Sequence, residues 1–115
     1  MIEDIDKEIW VANRGGALLL PVAEVLYFMA EAKYVTAVTS RVSYKFEDSL
    51  DSLGKRLGNT FIRSHRKYLV RVSAIRSIVT IGVSKYFEIP DILDPIPVSR
   101  REEALVREVL KARTI

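Results

Sequence analysis

The sequence contains no cysteine. That absence removes disulfide staples, thiol nucleophiles and thiolate metal sites together. A single histidine, His65, stands without an H-x-x-H pattern or a carboxylate cluster around it. Neither a metal site nor a Ser/His/Asp-type arrangement is therefore expected. No apolar run approaches the length that spans a bilayer, and no basic-then-apolar leader opens the chain. The expectation is a cytoplasmic protein with no membrane partner. Neither a P-loop nor a nucleophile elbow occurs, so no enzyme and no cofactor are expected. Acids are missing over a long stretch, with no Asp or Glu between Asp51 and Glu88.

Cations occupy the stretch that the acids leave. Lys55, Arg56, Arg63, Arg66, Lys67, Arg71, Arg76 and Lys85 all fall inside it. Net charge is only +3, because Glu3, Asp4, Asp6, Glu8, Glu88, Asp91 and Asp94 lie on either side. Such concentration of positive charge is the footprint of a nucleic-acid partner, with a solvated basic face as the alternative. Its centre is Phe61–Val70, FIRSHRKYLV. Phe61, Ile62 and Tyr68-Leu69-Val70 look like apolar anchors for a short basic loop carrying Arg63, His65, Arg66 and Lys67. At 115 residues, 49% hydrophobic and 29% charged, the chain suits one ordered domain. Residues 1–7 read as a leader and residues 8–115 as that domain.

The pattern along the chain is mostly β. Glu8–Arg14 and Ala17–Leu20 flank Gly15-Gly16, a turn signal between strands. Val25–Ala32, Tyr34–Ser40 and Ser43–Phe46 follow as short strands separated by tight turns, which indicates antiparallel sheet. Ser49 then has N-cap chemistry, Leu50, Leu53 and Leu57 have helical spacing, and Gly58-Asn59 closes the helix. Tyr68–Val72, Ile75–Ile81 and Lys85–Ile89 are further strands, and Pro90–Pro97 is an irregular connection or edge. Ser99 and Glu102 fit a capping box for a last helix whose apolar face is Ala104, Leu105, Val109 and Leu110. Trp10, Tyr27, Phe28, Phe46 and Phe61 sit in apolar patterns and are expected in the core.

Four motifs occur in a characteristic order: E-A-K-Y (31–34), F-I-R-S-H-R-K-Y-L-V (61–70), I-R-S-I (75–78) and I-P-V-S-R-R (96–101). Together they resemble the LytTR family of bacterial DNA-binding domains, from roughly Leu19 to Leu110. The resemblance implies an elongated domain of small antiparallel sheets with a short middle helix and a C-terminal helix. It implies loops, rather than a recognition helix, entering successive major grooves of a direct repeat in promoter DNA. An N-terminal receiver or sensor domain outside these residues, and RNA polymerase, are the protein partners it suggests. A free domain would be a monomer or weak dimer, paired on DNA. Arg71 departs from the family pattern, where an Asn is common, and so does the Asp91-Ile92-Leu93-Asp94-Pro95 approach to the last motif.

Arg66 and Arg100 are the candidate base contacts, assisted by Lys33. An arginine fork can engage guanine O6 and N7 together. Arg63, His65, Lys67, Arg71, Arg101 and Tyr34 are candidate phosphate contacts, which set register without reading sequence. An RNA or single-strand binder would need exposed aromatics beside the basic loop, and Tyr34 and Tyr68 are the candidates. An interaction domain that places the basic face on an acidic protein is the third reading.

Overall fold

Alternation of apolar residues across both faces of a central sheet organises the structure. The computed structural model describes residues 7–113. Strands β3 (Tyr27–Glu31), β4 (Tyr34–Val38), β5 (Ser43–Phe46), β6 (Phe61–His65) and β7 (Tyr68–Arg71) form an antiparallel sheet in the order β5-β4-β3-β7-β6. Successive residues in these strands point to opposite faces. Phe28, Phe61 and Leu69 therefore join one core, while Tyr27, Ile62 and Val70 join another. This accounts for runs that are apolar without a break.

The first core is closed by helix α1 (Leu50–Leu57) and by the hairpin of β1 (Glu8–Asn13) and β2 (Gly16–Pro21). Ser49 Oγ accepts a hydrogen bond from the Ser52 N–H at 3.0 Å, and Leu50, Leu53 and Leu57 are all buried. The helix ends at Gly58, whose φ of 64° and ψ of −142° suit a residue without Cβ. In the hairpin, Ile9 pairs with Leu20 on the buried face and Trp10 with Leu19 on the other. Trp10 is 65% exposed, contrary to the expectation of a core residue. It lies one residue out of phase with Ile9 and Val11, and the pleat turns it outward.

The second core lies under a three-stranded antiparallel sheet in the order β10-β9-β8, made of β8 (Ser77–Ile81), β9 (Ser84–Glu88) and β10 (Ile96–Val98), together with helix α2 (Glu103–Arg113). Pro97 occupies an edge strand, where its missing N–H breaks no ladder. The fold is thus mostly β with two short helices, and its principal extents are 42 × 34 × 25 Å. Among the described residues, no helix is long and apolar enough to cross a membrane.

Two local expectations give way. Ser99 makes no side-chain cap, and a 3-10 turn over Arg100–Glu102 precedes α2. The Ser99 N–H, which a capping-box glutamate would take, already donates to the Ser64 carbonyl at 2.8 Å. The apolar stripe of α2 is also rotated. Val106 is fully buried and Val109 and Leu110 pack beside it, whereas Ala104 is exposed and Leu105 is 51% exposed. The spacing 106, 109, 110 is the true i, i+3, i+4 set. Most of the proposed leader, residues 1–6, lies outside the described residues.

Candidate nucleic-acid interface

Phe61–Val70 is not a loop held at its ends but a β-hairpin with a two-residue turn. Strands β6 and β7 run up to the pair His65–Tyr68, and Arg66-Lys67 connects them. The register shifts between Arg63 and His65. The turn is held from both sides. His65 Nδ1 accepts from the Lys67 N–H at 3.1 Å, and the Lys67 carbonyl accepts from the Ala30 N–H at 2.9 Å. Arg63 Nε donates to the His65 carbonyl at 3.1 Å and its Nη2 to the Arg66 carbonyl at 2.9 Å. Its Nη1 reaches Asp51 Oδ1 at 2.8 Å.

Two further turns flank this one. Ala32-Lys33 joins β3 to β4 beside the pair Glu31–Tyr34, with Ala32 at a φ of 50°. Lys33, Tyr34, Arg63, Arg66 and Asp51 all line one depression of about 200 Å³. On the other side, buried Ser64 donates its hydroxyl to the Pro97 carbonyl at 3.0 Å. With the Ser99–Ser64 backbone bond, this fastens the Val98-Ser99-Arg100 segment to the basic hairpin. His65, Lys85 and Arg100 line the resulting depression, of about 470 Å³. The three candidate base-contact positions, which are remote in sequence, therefore stand around a single hairpin turn.

The cations of this region divide into two groups. The side chains of Lys33, Arg66, Lys67, Arg100 and Arg101 make no hydrogen bond or ion pair among the described residues, and all five residues are exposed. Arg63 and Arg71 are engaged within the fold. Arg71 donates from Nε to the Val25 carbonyl at 2.8 Å and from Nη2 to the Val22 carbonyl, and its guanidinium lies 4.7 Å from the centre of the Phe61 ring. Through these contacts the Arg71 guanidinium joins β7 to the turn that leads into β3. An exposed and an internal arginine look alike in a sequence; the carbonyls that distinguish them lie 46 and 49 residues away. Asp51 and Ser64 were not singled out from the sequence, and nothing local marks either.

Tyr34 is 40% exposed. Tyr68 is packed against Tyr27 and edge-on to His65. Burial lowers the His65 pKa below the ordinary value, helped by the positive charges of Arg66, Lys67 and Arg63. The neutral ring is the form that accepts from Lys67. A depressed pKa means that this contribution is present above the unfolded value and is lost as pH falls through the folded one. An NMR titration of the free protein is expected to place the His65 midpoint below about 6.5. An unshifted midpoint would remove His65 from the set of residues that order the turn. Among the described residues, no group of three or more His, Asp or Glu side chains is placed to hold a metal ion.

A family model of the LytTr DNA-binding domain matches residues 15–111. The chain belongs to the LytTR family of DNA-binding domains. A positive alginate biosynthesis regulatory protein of Pseudomonas aeruginosa is 31% identical over 107 residues, which cover 90% of this LytTR chain and 43% of that protein. The chain thus spans less than half the length of that relative. In fold it resembles the LytTr DNA-binding domain of a protein described as a methyl-accepting/DNA response regulator from Bacillus cereus. The TM-score is 0.80 at 22% identity, covering 90% of this LytTR chain and 95% of the other. DNA binding is the function of this LytTR domain.

Proposed function

We propose that the domain reads a specific double-stranded promoter sequence through its three clustered turns. Arg66 and Arg100 would contact base edges with Lys33 beside them, while Lys67, Arg101 and the Tyr34 hydroxyl hold phosphates. The observation that carries this reading is the set of exposed cations without internal partners on turns gathered around one hairpin. A cation with no internal partner loses no ion pair when it meets DNA, and phosphate neutralisation then supplies affinity by counterion release. A direct repeat, two domains on one site, control by a receiver or sensor domain and contact with RNA polymerase extend the same reading to a longer regulator. The longer relative, itself a regulatory protein, supports that extension. Single-strand stacking has Tyr34 as its one remaining candidate platform of the two, because Tyr68 is packed against Tyr27 and His65.

Selection from random duplex DNA tests the assignment. The wild type is expected to recover a motif, and Arg66→Ala and Arg100→Ala to relax it at different positions by about 1–3 kcal/mol each. Lys67→Ala should weaken all sequences alike and flatten the salt dependence by about one phosphate contact. Binding without any motif would reduce the domain to a polyanion binder.

A further inference from the structure

Asp51 is one of two acids, with Asp48, that line a depression otherwise suited to phosphate, and Asp48 is paired with Arg56. Asp51 sits in the first turn of α1 and lines the same depression as Lys33 and Arg66. By charge alone it repels a polyanion and weakens binding. Its geometry gives it a different task. Its carboxylate accepts from Arg63 Nη1, while Arg63 Nε and Nη2 hold the carbonyls of His65 and Arg66. A guanidinium presents its donors in a rigid planar fork, so acceptors on three residues fix both its position and its plane. One acceptor belongs to α1, which is anchored by Leu50, Leu53 and Leu57. The other two belong to the turn that carries Arg66.

We propose that Asp51 and Arg63 are a positioning pair that sets the approach of Arg66 to its base, and that Arg63 is not a phosphate contact. The inference rests on Arg66 as a base-reading residue. Bidentate contact with a base tolerates little displacement, so a turn tied only to its own strands would read poorly. The Ala30–Lys67 bond ties the turn to β3, and the pair adds a tie to a helix across the depression. Arg63 also lowers the Asp51 pKa, first by hydrogen bonding and then by its charge, which keeps the carboxylate ionised as an acceptor.

Charge and positioning make opposite forecasts for Asp51→Asn, a substitution at an exposed residue. Removal of an acid should strengthen binding to a random duplex at low salt. The amide oxygen accepts less strongly than a carboxylate, so the weakened tie should relax preference at the bases that Arg66→Ala identifies. Both effects are expected together, the second by about threefold to tenfold, as for residues coupled in one hydrogen-bond network. Arg63→Lys keeps the charge but not the fork. It should leave the salt dependence unchanged and relax the same base positions. Base preference intact in both variants, with a wild-type motif recovered, would overturn the positioning pair alone. So would an Arg63→Ala protein that loses one phosphate's worth of salt dependence and keeps its preference. A wild type with no motif would overturn both the pair and the reading of Arg66. Thermal melts and amide spectra of both variants separate unfolding from a displaced turn; shifts should centre on residues 65–67.

Discussion

Phe28→Ala is expected to lower the unfolding free energy by about 3–5 kcal/mol, the range for removing a large aromatic from a packed core. Phe28 is fully buried on β3, the middle strand of the five-stranded sheet. Its ring lies 6.0 Å from that of Phe46 and 5.3 Å from that of Phe61. Leu53 and Leu57 of α1 belong to the same cluster. The neighbours come from strands on both sides and from a helix above, so they cannot all collapse into the void. Domains of this kind have total stabilities of about 5–15 kcal/mol, which makes the loss a large fraction. Phe28→Leu should retain most of the stability because it leaves a smaller cavity. Urea denaturation of the three proteins measures the difference. A loss below about 1 kcal/mol would mean that the cluster repacks freely, which close-packed interiors do not do.

Arg71→Ala is expected to cost about 2–4 kcal/mol, the joint value of two charge-assisted hydrogen bonds and a cation–π contact, discounted for partial exposure. The guanidinium bridges the Val22 and Val25 carbonyls and lies over Phe61. The Arg71 N–H adds a bond to the Leu26 carbonyl at 2.9 Å, and the substitution leaves that bond in place. Arg71→Lys should recover only part of the loss, since an ammonium cannot meet both carbonyls and the ring in one plane. At temperatures where the variant remains folded, its DNA binding should show an unchanged salt dependence. Calorimetric melting and a salt titration give the two readouts. Undiminished melting together with a flattened salt dependence would return Arg71 to the phosphate-contacting group.

The two substitutions probe features of unequal visibility. Phe28 sits in a segment whose apolar density already marked it as core. Arg71 sits at the end of a similar segment, and its letter alone suggested the opposite environment. The middle helix was legible to the residue because a cap, three leucines at helical spacing and a terminal glycine are all local signals. The C-terminal helix was legible in place but not in rotation. Ala104, Leu105, Val109 and Leu110 form a reasonable stripe until Val106, which joins Ile96 and Phe87 in the second core, claims the centre. The basic motif was visible as a cluster of charge with a strand from Tyr68 after it, yet the strand Phe61–His65 and the two-residue turn were missed. Charged residues mask the period of a strand when the strand is short.

Composition and motif order by themselves determined that this is a mostly β domain with an anionic partner, and which segments carry the arginines and lysines. Those properties depend on local pattern and on net charge within a segment, both of which are written along the chain. Tertiary structure alone decided which arginines remain available. Arg63 is engaged by a carboxylate and Arg71 by backbone carbonyls distant in sequence, whereas the side chains of Arg66 and Arg100 meet no such acceptor among the described residues. It also decided that the segment carrying Arg100 lies beside the basic hairpin, through two hydrogen bonds between Ser64 and residues 97 and 99. A hydrogen bond needs its partner within about 3 Å. Proximity on that scale between distant residues is set by how the sheets pack, which no stretch of sequence specifies alone.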